Sequence, residues 1–198
     1  MKKILFLIFL SFIICEENLG NYQRKSFKEN SAEIEVTYKV AEKASKSFFK
    51  TYLNKTKDFT IYPLSVYSQV VKGTNYKYTF ASLERNGFMQ VITTTVYLGL
   101  NETAPQFKNI IAADEILQKE EFEDISNMEN AIKEKYKNEF FKNETLNGFK
   151  NILFEEAGDS LYFVRLNSKK GDYALVYKDL NGTYYIDYII KEFRMIKG

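Results

Sequence analysis

Gln69-Val70-Val71-Lys72-Gly73 stands between two strand-like runs, and its reading decides the fold. Upstream lie Phe59-Thr60-Ile61-Tyr62 and Leu64-Ser65-Val66-Tyr67; downstream, Tyr76-Lys77-Tyr78-Thr79-Phe80 alternates. β-Branched and aromatic residues at this density suit a pleated, half-buried surface. A glycine closing such a segment predicts a hairpin turn, because glycine takes positive φ without steric cost. Val70 and Val71 then fall at a hairpin tip rather than in a core. Adjacent exposed apolar residues mark a contact site.

Outward from the hairpin, the pattern extends both ways. Asn30-Ser31-Ala32-Glu33 reads as a capping box, with Asn30 as N-cap and Glu33 three residues on. A long helix follows, to about Leu53. Ile34, Tyr38, Ala41, Ser45, Phe48 and Tyr52 recur at spacings of four and three and form one apolar stripe. Asn54-Lys55 reads as its end. After the hairpin, Thr74 to Leu83 returns, and Asn86-Gly87 signals a turn. Phe88 to Leu98 is a third strand, Gly99 to Pro105 a second turn, and Gln106 to Ala113 a fourth strand. In such a meander the two hairpin tips fall at the same end of the sheet, beside the start of the chain.

This order of elements, with Gln-x-Val-x-Gly followed by Thr74-Asn75-Tyr76, resembles the cystatins and stefins, inhibitors of papain-like cysteine proteases. The resemblance covers roughly residues 20–113. It implies an α+β, cystatin-like fold, with an antiparallel sheet wrapped across one long helix. It also implies a wedge of three elements that plugs a protease cleft without covalent chemistry. Gly20 would be the trunk glycine, Gln69, Val70, Val71, Lys72 and Gly73 the first loop, and Leu100 and Asn101 the second. The implied partner is a papain-like, cathepsin-type cysteine protease. Gly20 also reads as an ordinary tail glycine. The second loop lacks the Pro-Trp pair of secreted cystatins, as the stefins also do. It carries the sequon Asn101-Glu102-Thr103, and a glycan there would obstruct docking of that tip.

The first fifteen residues read as a signal peptide. Met1-Lys2-Lys3 is basic, and Ile4 to Ile14 is apolar apart from Ser11 but too short to span a bilayer. Cys15 is a small residue at a plausible cleavage point. A lipoprotein would use the same cysteine as its anchor, but Ile13-Ile14 before it does not fit that reading. Loss of residues 1–15 takes the only cysteine and two of the 28 Lys+Arg, leaving 26 against 26 Asp+Glu. A neutral chain gives no global attraction to nucleic acid or an anionic membrane. The expected location is outside the cell or in a secretory, lysosome-like compartment.

With no histidine anywhere and no cysteine after residue 15, Ser/His and Cys/His catalysis and most zinc sites are excluded. No catalytic residue, metal or cofactor is expected. Carboxylate-pair hydrolysis stays formally open, but the Asp and Glu residues are scattered rather than clustered.

Residues 114–124 read as a linker, and 125–198 as a second, degenerate copy of the first repeat, 16–113. Met128, Ile132, Tyr136 and Phe140 line a helix face. Phe140-Phe141-Lys142 echoes Phe48-Phe49-Lys50, and Val176 to Thr183 echoes Val96 to Thr103. Recurrence within a Lys/Asn/Phe/Tyr-rich composition is the alternative. The counterpart of the first loop is Phe154-Glu155-Glu156-Ala157-Gly158, whose carboxylates would not enter an apolar cleft unpaired. Four sequons, at Asn54, Asn101, Asn143 and Asn181, suit a secreted glycoprotein. The 15 tyrosines and 17 phenylalanines suit core packing through their helix and strand positions, rather than base or sugar stacking. The inhibitor reading therefore stands beside one alternative, a non-inhibitory secreted cystatin-fold binding module.

Overall fold

The computed structural model describes residues 20–27, 31–51, 59–84, 89–113, 125–139, 149–156, 161–166, 172–191 and 194–197. The order is β1 (Gln23–Lys25), α1 (Ala32–Thr51), β2 (Phe59–Val71), β3 (Gly73–Glu84), β4 (Met89–Gly99) and β5 (Gln106–Ala113). Then come α2 (Ile125–Glu139), β6 (Phe149–Glu156), β7 (Leu161–Leu166), β8 (Tyr173–Lys178), β9 (Tyr184–Lys191) and β10 (Arg194–Lys197). The chain is α+β, with two five-stranded sheets ordered β1-β2-β3-β4-β5 and β10-β9-β8-β7-β6. Strands consecutive in sequence are neighbours in space, so each sheet is a meander. The expected strands of the first half form within a residue or two of their predicted bounds, except that β2 runs on past Tyr67 through Gln69 and Val70 to Val71, where a turn was expected. β1 was not foreseen: Gln23, Arg24 and Lys25 pair antiparallel with Ser68, Tyr67 and Val66.

Helix α1 begins one residue later than the capping box implied. Ser31 is its cap: the Ser31 hydroxyl accepts from the Ile34 N–H at 3.4 Å, and its carbonyl from the Glu35 N–H at 3.1 Å. Asn30 lies outside the described residues. With Ser31 as cap, Ile34 occupies the position a reciprocal glutamate would need, so no capping box closes. Glu33 instead accepts a hydrogen bond from the Tyr76 hydroxyl at 2.5 Å.

The buried face of α1 is Ile34, Thr37, Ala41, Ser45 and Phe49. Phe49 rather than Phe48 is the fully buried member of the pair, and Tyr38 is half-buried. A 3.6-residue period cannot choose between adjacent identical residues, and the packing against the sheet does. Tyr52 lies outside the described residues. Glu35–Lys39 and Glu42–Lys46 form i,i+4 ion pairs at 2.5 and 3.0 Å on exposed ground, where such pairs add little.

The buried residues of α1 face alternate residues of the strands. On β3 these are Tyr76, Tyr78 and Phe80, all buried, with successive ring centroids 6.4 and 6.2 Å apart. Tyr38 packs on Tyr78 and Phe80 at 5.9 and 5.8 Å. Polar atoms in this layer are paired, as burial requires. The Tyr78 hydroxyl lies 2.7 Å from Thr37 Oγ1 and donates to the Ile34 carbonyl at 3.2 Å, and Ser45 Oγ lies 2.8 Å from Thr94 Oγ1.

Burial raises the pKa of these tyrosines. Tyr78 is pushed up to about 12. Tyr38 and Tyr76 are also raised by burial, with the Glu42 and Glu33 carboxylates respectively adding to it. A tyrosine with a raised folded pKa keeps its proton longer in the native state than in the unfolded chain. Its contribution is complete below its ordinary value near 10 and is lost as pH rises through the folded value. Stability should therefore be insensitive to these groups at neutral pH and fall steeply from about pH 10 upward. Urea midpoints measured across that range check it.

The chain forms two compact units, which are not contiguous stretches of sequence. The first takes the described residues up to Thr51, together with 65–80 and 92–111. On the face of its sheet away from α1 it carries Lys77, Thr79, Thr93 and Thr95, with Thr79 and Thr93 hydroxyls 3.4 Å apart.

The second unit takes the described parts of 55–64 and 81–91, together with residues from Ala112 on. The sequence reading gave 55–64 and 81–91 to the first repeat, but their apolar side chains belong to this unit's core. Tyr62, Leu64, Ala81, Leu83 and Val91 are buried with Leu161, Phe163, Tyr173, Leu175, Tyr188 and Ile190. Phe163 stacks on Tyr173 at 5.7 Å, and the Tyr188 hydroxyl donates to the Pro63 carbonyl at 2.7 Å. Pro63 lies beyond the three-residue reach of β1, on a stretch of β2 where a missing N–H costs no ladder bond on that side.

The opposite face of the second sheet buries Val164, Leu166, Ala174, Val176, Ile186 and Ile189 with Met128 and Ile132 of α2. Tyr136 and Phe140 belong to the same expected stripe, but their side chains lie outside the description. A register shift between the pairs Leu175–Tyr188 and Val176–Ile186 lets Ile186 and Ile189 share that face. Burial on both faces explains the near-continuous apolar runs of β7 and β8.

Candidate binding surface at the hairpin tips

The first hairpin is tight. β2 ends at Val71 and β3 starts at Gly73, leaving Lys72 alone between them. Val70 is 70 % exposed, Val71 half-buried, Lys72 exposed and Gly73 buried. Gln69 does not project freely: its Oε1 accepts from Asn75 Nδ2 at 3.2 Å across the hairpin. One branched apolar side chain therefore stands out on a braced strand end.

Gly73 has φ of +131°, a conformation that L side chains rarely adopt. A methyl group there would meet the Leu98 carbonyl oxygen at 2.5 Å and the Tyr97 hydroxyl at 2.7 Å. The tip is thus pressed against the end of β4. The Tyr97 hydroxyl also donates to the Lys72 carbonyl, and Lys108 Nζ lies 4.8 Å from the centroid of the Tyr97 ring. In the sequence Tyr97 is simply one residue of the third expected strand, and nothing in its local pattern marks it as the brace of the hairpin. Gly73→Ala combines a disfavoured φ with three contacts under 3.0 Å, from the Leu98 carbonyl and the Tyr97 side chain, which must shift. We expect it to cost about 1–3 kcal/mol, read as a lower urea midpoint with unchanged slope.

The second tip follows directly. Leu100 is 72 % exposed, and Asn101 is exposed with φ of +61°. The Glu102 N–H donates to the Gly99 carbonyl at 3.2 Å and closes the turn. Asparagine is one of the few residues that takes the left-handed region readily. The trunk comes to the same end: a side chain added at Gly20 would lie 3.5 Å from the Val70 carbonyl oxygen. The structure thus brings Gly20, Val70, Gly73 and the Tyr97–Asn101 turn together, at one end of the first sheet. Val70 and Leu100 are among the exposed apolar side chains at this end.

The second unit has its own ordered tip between β8 and β9. Asp179 Oδ1 accepts from the N–H groups of Asn181 and Thr183 at 2.9 and 2.8 Å, and Oδ2 from the Tyr185 hydroxyl at 3.3 Å. The Gly182 N–H donates to the Asp179 carbonyl at 3.0 Å, the counterpart of the Glu102–Gly99 bond. Leu180 on this turn is fully exposed, and Leu100 on the other is largely so. Glu155 and Glu156 lie on β6, whereas Ala157 and Gly158 fall outside the described residues. Of the four sequon asparagines, Asn101 and Asn181 are exposed on turns, and Asn54 and Asn143 lie outside the description.

Among the described residues no cluster of three or more acidic or cysteine side chains could hold a metal ion. No described helix is long and apolar enough to cross a membrane. The geometry defines a class of site: an ordered hairpin tip that presents the apolar Val70, with Lys72 exposed beside it. No family model matches the chain, and a search of curated proteins finds no significant match.

Proposed function

We propose that the protein is a secreted, reversible inhibitor of papain-like cysteine proteases, that its first half has the cystatin-like fold, and that residues 125–198 are a degenerate second copy. The carrying observation is the braced hairpin tip, with Val70 exposed and Gly73 locked on the end of β4. A tip ordered before binding loses little entropy on entering an apolar cleft, the condition for tight non-covalent blocking. Gly20, Leu100 and Asn101, at the same end, extend the contact to three points. The target enzyme contributes the reactive Cys and His, and this chain acts by occlusion. The duplication is supported by the shared plan of one helix with five antiparallel strands and by the matching turn bonds at Gly99 and Asp179. The extra strand precedes the helix in one copy and ends the chain in the other.

Titration of papain with residues 16–198, made without glycans, tests the reading. The expected result is stoichiometric, reversible loss of activity at sub-micromolar concentration. Full protease activity at high micromolar concentration overturns it for papain. The exposed Leu180, on a turn fastened by Asp179, favours one second reading, a non-inhibitory binding module that engages its partner through the second unit.

A further inference from the structure

The two sheets have four edge strands, and three of them carry devices that discourage pairing with another chain. β1 is only three residues long and contains Arg24 and Lys25. β10 is four residues long with Arg194 and Lys197 at its ends. β6 is interrupted by two register shifts and bears Lys150, Glu155 and Glu156. β5 is different: Gln106-Phe107-Lys108-Asn109-Ile110-Ile111-Ala112-Ala113 is eight residues long, with no proline and no acidic residue. Its one charge, Lys108, lies over the Tyr97 ring. Gln106 to Asn109 are exposed on both faces of the strand, and among the described residues no strand pairs with its outer side.

We propose that β5 is a homodimer interface, pairing antiparallel with β5 of a second copy about a two-fold axis at Asn109. The strand is complementary to itself in that register. Phe107 and Ile111 lie on one face, 49 % and 61 % exposed, far more than an ordinary core position. Pairing about Asn109 sets Phe107 of each copy opposite Ile111 of the other. The two-fold therefore makes two aromatic–aliphatic cross-strand pairs from one strand, the self-complementarity an isologous interface requires. The unused backbone N–H and C=O groups of the edge supply the ladder. The inference stands on the edge alone and does not depend on protease inhibition.

Sedimentation velocity of the intact protein, from low to high micromolar concentration, tests it. The expected result is a reversible monomer–dimer equilibrium. Phe107→Lys and Ile111→Glu, each on an exposed site, should weaken dimerisation by about tenfold or more with an unchanged far-ultraviolet spectrum. The double variant Phe107→Lys/Ile111→Glu places opposite charges across both pairs and should restore the dimer. A monomer at every concentration overturns the proposal, as does a dimer indifferent to both single substitutions. Single variants that break the dimer, with no recovery in the double, overturn the Asn109-centred register.

Discussion

Under the proposed function, Val70→Asp should severely weaken inhibition of papain while leaving the fold intact. The side chain is 70 % exposed in the free protein, so a carboxylate there stays hydrated and costs the native state little. In a protease cleft the same carboxylate loses water and meets apolar walls. Residues that fill such pockets contribute about 2–4 kcal/mol, so the inhibition constant should rise by roughly thirtyfold to a thousandfold. Val70→Ala should lose only part of this, because it shortens the side chain without adding charge. Inhibition constants for the three proteins, with a urea melt as control for folding, decide the matter. Under the binding-module reading Val70→Asp changes no measured affinity, and the same comparison separates the two.

Residues 125–198 alone should not fold cooperatively. The face of the second sheet formed by Leu161, Phe163, Tyr173, Leu175, Tyr188 and Ile190 is buried with Tyr62, Leu64, Ala81, Leu83 and Val91. A chain starting at residue 125 lacks those five side chains and exposes that face to water. Burial of one large apolar side chain stabilises by about 1.5–3 kcal/mol, and a small domain has only about 5–15 kcal/mol in all. Losing several such contacts at once exceeds what the α2 side of the sheet can supply. A broad, weakly cooperative urea transition is the expected result, and a sharp transition matching the intact chain would refute it. Phe163→Ala in the intact protein is the milder version, expected to cost about 3–5 kcal/mol.

The first sheet was largely legible in the sequence because its signals are local. Alternation in Tyr76 to Phe80, the glycine at 73 and the turn residues from Gly99 to Pro105 each specify backbone shape over a few residues. The hairpin tips could be placed at one end from strand counting alone, and they are there. β1 was not legible, because Gln23-Arg24-Lys25 has no strand propensity. Its conformation comes from pairing with Val66 to Ser68. Ser31 and Phe49 show the same limit at finer scale: both neighbours qualify by type, and the three-dimensional fit chooses between them. The division into units depended on a subtler signal. On the face away from α1, the strands change from Lys77, Thr79 and Thr93 to Ala81, Leu83 and Val91, and that switch marks where burial begins on both faces. The Tyr97 brace could not be read at all, since it joins Lys72 and Gly73 across twenty-five residues of chain.

The membership of the second unit also sets an order of events on the ribosome. Tyr62, Leu64, Ala81, Leu83 and Val91 leave the exit tunnel well before the strands that bury them. Among the described residues of later sequence, those buried with this apolar patch lie between Leu161 and Ile190 and are made last. Nascent chains are most prone to self-association while such surface is open. The N-terminal half must therefore wait, partly assembled, for the last third of the polypeptide. A pause or truncation after Ala113 would release a chain whose Val70 hairpin is complete but whose apolar patch is adhesive.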